Sequence, residues 1–251
     1  MNSNYSVILN FNSFNNYITN VSNRDRVMSV LQYTTMALYQ PIAASGCPGL
    51  SANLNTIHHL CSQYRAITRF SQWFVVLPQL TPHGICDTII SNPTPQIGIL
   101  KVISTAFFTV FLLGEEVCLF AKNKMISPEV GKKFNRIRFV FLFWSNVARL
   151  IMNYLLLKRS NEGAIKDSKS RNDHQRKVLN VADGILMTLF TYGLLKHSAA
   201  TGLRGLPKAI KSGDLVNIVT SFAPPVKLHD TPHGILGVVA AFPGFVLSFM
   251  H

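Results

Sequence analysis

Apolar residues recur at three- and four-residue steps along most of the chain, the period of helices with one buried face. Asn23 reads as an N-cap for a helix through Arg24, Asp25, Val27, Val30, Leu31, Thr34 and Leu38 that stops before Pro41. Pro41, Gly46, Pro48 and Gly49 then make Gln40 to Leu50 a loop. From Ser51 the period resumes through Leu54, Ile57, Cys61, Tyr64, Ile67, Phe70 and Phe74, with Arg65 and Arg69 one turn apart. A helix of this kind over Asn53 to Phe74 either lies in the headgroup layer and wedges one leaflet, or packs its stripe against neighbouring helices. The residues assigned to membrane binding are Leu54, Ile57, Tyr64, Arg65, Ile67, Arg69, Phe70 and Phe74.

The pattern changes after a Pro-rich connector, Leu77 to Gln96. Ile97 to Ala121 is an apolar run long enough to span a bilayer, interrupted by Lys101 and by Glu115 and Glu116. A charge at mid-bilayer costs about 2.5–3.5 kcal/mol. The glutamates are therefore expected at an interface, paired with a base, or along an aqueous path. Phe139 to Leu157 is a second apolar run, broken by Asn146, Arg149 and Asn153 at helical spacing, which puts all three on one face. Arg149 pairing with Glu115 or Glu116 is the structural expectation, and a polar transport path is the alternative. Lys158 to Lys177 carries seven basic and three acidic residues and reads as a mobile loop. Val178, Val181, Ile185, Leu189, Tyr192 and Leu195 give another amphipathic helix, and Gly234 to Met250 is an uncharged run able to span if Pro243 is accommodated.

These readings make the fold class all-α: a membrane-embedded helical bundle with amphipathic N-terminal helices. Four regions follow: residues 1–96 with the amphipathic helices, 97–157 with apolar membrane-associated helices, 158–177 as a basic hydrophilic loop, and 178–251 with an amphipathic helix and a C-terminal membrane segment.

Composition agrees. Hydrophobic residues make up 48% of the chain and charged ones only 14%, too few to solvate an ordinary soluble domain. The net charge of +13 is concentrated between residues 101 and 213, which carry nineteen basic against seven acidic side chains. Basic residues flanking long Phe- and Leu-rich runs suit anionic membrane lipid rather than nucleic acid. Cys47, Cys61, Cys86 and Cys118 are widely spaced, without metal-ligand partners, and are expected to be reduced. Met1 to Asn23 has neither a basic leader nor an apolar core, so insertion from the cytosol is expected. Thr81-Pro82-His83-Gly84-Ile85 recurs as Thr231-Pro232-His233-Gly234-Ile235 and reads as a turn entering an apolar helix rather than as a metal site. No phosphate-binding glycine loop, nucleophile elbow or metalloprotease motif is present. Glu115 and Glu116, adjacent on a helix, point about 100° apart. No enzyme activity, metal or cofactor is expected.

The segment from Asn23 to Tyr33, Asn-Arg-Asp-Arg-Val-Met-Ser-Val-Leu-Gln-Tyr, resembles the start of the peroxin-11 proteins of peroxisomes. Tyr64 to Phe70 resembles that family's basic amphipathic helix, Phe111 to Val117 its apolar segment with an acidic break, and Gly234 to Gly237 its closing membrane segment. The chain is most similar to the glycosomal integral membrane proteins of that family. The resemblance implies an integral protein of the peroxisomal or glycosomal membrane with both termini toward the cytosol. It further implies self-association, partnership with related family members, membrane elongation before division, and cooperation with a dynamin-type fission GTPase. Some relatives are proposed to form metabolite pores.

Two functional expectations follow. In the first, the Asn53 to Phe74 helix wedges the cytosolic leaflet while later segments anchor and oligomerise the protein, so that the organelle elongates and divides. In the second, Glu115, Glu116, Asn146, Arg149 and Asn153 line a path for small metabolites. Lys132, Lys133, Arg136 and Arg138, followed by Phe139 to Phe143, form a candidate targeting site for a peroxisomal membrane-protein import chaperone.

Overall fold

The structure is a computed structural model that describes residues 21–162, 168–226, 232 and 234–240. Every regular element among them is helical, so the fold is all-α. The chain divides into two compact units, residues 1–68 with 230–251 and residues 69–229.

In the first unit, α1 (Val21–Ala44) and α2 (Pro48–Thr68) form an antiparallel hairpin. The helix is already formed at Val21, so Asn23 lies inside it rather than at its cap. It also runs through Pro41, because in the last turn a missing N–H removes one hydrogen bond while the Pro41 carbonyl still accepts from Ser45 N–H at 3.0 Å. The loop shrinks to a turn at Gly46, whose φ of +87° favours glycine. Pro48 sits at the start of α2, where its fixed φ suits a first helical turn. The α2 helix ends at Thr68, six residues short of the expected Phe74. Ser71 adopts φ +60° and the chain turns before continuing. Residues 234–240 are helical and seat on α1: a Cβ at Gly234 would lie 2.5 Å from the Ala37 nitrogen, and one at Gly237 would strike the Tyr33 ring. Only glycine permits so close an approach. Residues 241–250 of the expected closing span lie outside the described residues, as do 1–20.

The second unit opens with α3 (Gln72–Val76), a 3₁₀ turn (Leu77–Leu80) and α4 (Pro82–Ser91), so the expected connector contains a ten-residue helix. Thr81 caps it by accepting from Gly84 N–H at 3.2 Å, with Pro82 in the first turn. The first Thr-Pro-His-Gly-Ile copy is thus a helix start. In the second copy Pro232 and Gly234 are helical, and Thr231 and His233 lie outside the described residues.

The long elements are α5 (Pro95–Lys122), α6 (Pro128–Glu162) and α7 (Ser168–Leu194). Among the described residues three segments are long and apolar enough to cross a membrane: Pro95–Lys122, Pro128–Asn161 and Asn172–Ser212. The third contains most of α7, for which the sequence pattern indicates only an amphipathic helix, because its polar opening turns obscure the apolar stretch behind them. With 35 residues α6 is about 52 Å long, well beyond the roughly 30 Å of hydrocarbon it would cross. The hydrophilic stretch 158–177 is consequently built mostly from the projecting ends of α6 and α7, not from a loop. Beyond α7 come two 3₁₀ turns (Leu195–Ser198, Leu203–Gly205), α8 (Leu206–Ser212) and α9 (Leu215–Ser221).

Packing reveals which solvent this unit suits. A small apolar cluster, Phe139, Val140, Phe143, Leu195 and Ala223, is buried where α6 meets the turn after α7. Around it the interior is markedly polar: Ser145, Asn146, Asn153, Asp183, Thr191 and Ser221 are all buried. Val75, Ile90, Ile151, Leu189 and Leu215 face outward. A polar interior under an apolar exterior fits lipid, where helices gain little from burying oil and associate through small residues and hydrogen bonds. Ser104 and Ser145 join α5 to α6 this way, each hydroxyl donating to the other's backbone carbonyl at 3.0 and 2.8 Å. Gly114 makes the same pairing close, since a Cβ there would lie 2.7 Å from Arg138 Cβ.

Candidate membrane-contact surface and intramembrane polar groups

The α2 helix presents two kinds of face. Ser51, His58, Cys61 and Arg65 turn toward α1, and Leu50, Ile57, Leu60 and Ile67 turn outward, Leu60 and Ile67 being 58% and 62% exposed. The outward residues follow one another at intervals of seven, three and seven, which keeps them within about 100° of one another around the helix axis. The apolar stripe is therefore displaced from the one read in sequence: Ile57 and Ile67 belong to it, Leu60 joins it, and Leu54 and Tyr64 are half-buried at its edge.

The basic residues differ more. Arg65 does not face outward: its side chain is 12% exposed and donates to Asp25 Oδ1 at 3.0 Å, to Gln32 Oε1 at 2.8 Å and to the Tyr33 hydroxyl at 3.2 Å. Its guanidinium also lies 5.6 Å from the Tyr33 ring centre. His58 Nδ1 reaches the Gln32 carbonyl at 3.1 Å. Periodicity placed Arg65 beside an apolar stripe but could not indicate that α1 supplies a carboxylate for it. Asp25, Gln32 and Tyr33, which the sequence marks only as part of a family-like motif, are its anchors. Nearby burial pushes the Cys61 thiol above its ordinary value, with the Arg65 charge pulling the other way.

In the second unit the two glutamates are fully engaged. Glu115 accepts from Arg69 Nη1 at 3.3 Å and faces Arg138 Nη1 at 3.8 Å, while the Arg138 guanidinium lies 4.6 Å from the Phe139 ring centre. Glu116 accepts from Ser71 N–H and, at 3.0 Å, from Trp73 Nε1–H. The bend at Ser71 is thus fastened to α5, which explains why the helix does not run on to Phe74. Phe70 packs edge-on against Phe120, and Phe70, Phe74 and Val75 remain exposed.

Arg149 meets neither glutamate. Its partner is Asp183 of α7, at 3.3 Å, a buried carboxylate that periodicity left unmarked. Asn153 donates to the Asn180 carbonyl at 3.0 Å, and Asn146 to the Leu142 carbonyl of its own helix at 3.1 Å. The five polar residues therefore separate into a glutamate cluster at the α3–α5–α6 contact and a seam along α6 and α7. Of the basic quartet in the targeting stretch, Arg136 donates to the Ser198 carbonyl at 3.1 Å and Asn217 Oδ1 at 2.9 Å, and Arg138 pairs with Glu115. Only Lys132 and Lys133 are exposed.

No curated protein sequence and no solved structure matches the chain. One family profile does, that of peroxisomal biogenesis factor 11, over residues 11–245. That span includes the α1–α2 hairpin, the three apolar segments and the closing helix, so the polar anchors and the outward apolar faces fall inside a single family match. The chain belongs to the peroxisomal biogenesis factor 11 (PEX11) family and is a peroxisomal membrane protein involved in peroxisome proliferation.

Proposed function

We propose that this protein promotes proliferation by elongating the peroxisomal membrane, with the outward stripe of α2 wedged among lipids of the cytosolic leaflet and the long helices of the second unit as anchor. The supporting observation is that Leu50, Ile57, Leu60 and Ile67 stay exposed along one face of a helix whose only arginine is consumed by the hairpin. In water such a stripe is a liability; in the acyl boundary it is a fitting insertion surface. Arg65 here holds the hairpin together rather than gripping headgroups. Crowding through self-association adds to the bending, and division follows through a dynamin-type GTPase, the glycosome being the organelle expected from sequence resemblance.

The test uses the full chain in a peroxisome-bearing cell and on anionic vesicles. Leu60→Glu with Ile67→Glu places charges only on exposed positions, so helicity by circular dichroism should persist while tubulation and organelle elongation are lost. Undiminished tubulation would rule the wedge out. A metabolite path has less support, because Glu115, Glu116, Asn146, Arg149 and Asn153 all have partners within the protein and split into two groups.

A further inference from the structure

At one end of the α5–α6 hairpin four lysines, Lys122, Lys124, Lys132 and Lys133, are exposed, and none makes an ion pair among the described residues. They share one level. Gly131 abuts Ala121, and Cys118 Sγ reaches the Gly131 carbonyl at 3.5 Å, so Lys122 and Lys132 lie beside one another across the turn. Glu129 is the sole acid in the turn, against four bases.

Beneath them is an apolar layer. The segment from Phe70 to Val75 lies along residues 116–120 of α5, through Ser71 and Trp73 to Glu116 and Phe70 to Phe120. Six residues of helix separate Glu116 from Lys122, a rise of about 9 Å. Phe70, Phe74 and Val75 thus sit just inside the level of the lysines, with Met125 exposed in the turn itself. Aromatic residues under a row of ammonium groups at the end of two apolar helices form the pattern of a membrane interface.

We propose that this end of the hairpin is a binding site for anionic lipid headgroups, the lysines holding phosphate and carboxylate groups while Phe70, Phe74 and Val75 enter the upper acyl region. The site rests on α5 and α6 crossing the bilayer and is independent of the wedge role of α2. It also divides the basic quartet of the targeting stretch: Arg136 and Arg138 serve packing, and Lys132 and Lys133 serve lipid.

Trp73 is a built-in reporter, since Trp144 is the only other tryptophan. The full-length Trp144→Phe chain would be reconstituted in phosphatidylcholine vesicles containing equal mole fractions of either phosphatidylserine or phosphatidylcholine brominated near the top of the acyl chain. Quenching of Trp73 should report a local enrichment of the serine lipid of about fivefold, the equivalent of one fully effective surface lysine. The quadruple Lys→Gln variant at 122, 124, 132 and 133 should lose the contrast, the quadruple Lys→Arg variant should keep it, and Ile67→Glu should leave it unchanged. Equal quenching by both lipids in the unsubstituted lysine background would overturn the proposal. So would a contrast that survives the Gln variant, or one that Ile67→Glu removes. Mis-sorting of the Gln variant in cells with its lipid contrast intact would assign the lysines to an import receptor instead.

Discussion

The arginine inside the α1–α2 hairpin offers the sharpest test of the first unit. Arg65→Leu keeps most of the side-chain volume and removes the guanidinium, ending the bonds to Asp25, Gln32 and Tyr33. Removing one partner of a fully buried pair costs about 3–5 kcal/mol. The pair here retains slight exposure, at 12% and 18% of the side chains, and Asp25 and Tyr33 keep other interactions, so the expected cost is about 2–3 kcal/mol. At about 1.4 kcal/mol per factor of ten, amide hydrogen exchange in α1 and α2 should accelerate about 30- to 150-fold. Arg65→Lys preserves the charge but not the planar fork and should fall between the two. Asp25→Asn combined with Arg65→Leu should cost at least about 1 kcal/mol less than the two changes summed. Exchange accelerated by less than about threefold in Arg65→Leu, or a strictly additive cycle, would refute the assignment of Arg65 as the hairpin's internal anchor.

Three further outcomes are expected. Arg149→Leu should destabilise the α6–α7 contact by about 1–2 kcal/mol, because the Arg149 side chain is 48% exposed and buried Asp183 keeps another interaction, and Arg149→Leu with Asp183→Leu should recover part of the loss in thermal unfolding of the reconstituted protein. Gly131→Leu should separate α5 from α6 at the turn and lower the melting temperature in detergent, whereas Leu at exposed Gly213 would test only backbone strain, its φ being +65°. Maleimide at neutral pH should label exposed Cys47 well before Cys61. Burial raises the Cys61 thiol, so its contribution to stability is complete below the ordinary thiol value and is lost as pH climbs through the raised one; alkaline titration should therefore loosen the hairpin and expose Cys61 to the label.

Much of the helical scaffold was legible from apolar period and length: the runs Ile97 to Ala121 and Phe139 to Leu157 lie inside α5 and α6, although Pro48 and Pro95, expected in a loop and a connector, open helices instead. Other features were hidden for physical reasons. A period shows that a stripe exists but not whether protein or lipid covers it, so the inward turn of Arg65 and the outward turn of Leu60 could be learned only from where α1 lies. The bend at Ser71 has neither glycine nor proline to announce it; it is imposed by Glu116, 45 residues away. Spacing pairs Arg149 with the conspicuous acids Glu115 and Glu116, whereas its partner Asp183 sits within an apolar stretch that gives no signal of a carboxylate site. Pro41 looked like a terminator because only a completed turn reveals that its carbonyl is still used.

The glycines at 234 and 237 give the chain an order of assembly. They close on Met36, Ala37 and Tyr33, some two hundred positions earlier, so the α1–α2 hairpin must wait, unfinished, until residues 234–237 have left the ribosome. During that wait the second unit, made of neighbours in sequence, can already pair its long helices. A truncation before residue 234 should therefore injure the α1–α2 hairpin more than the second unit.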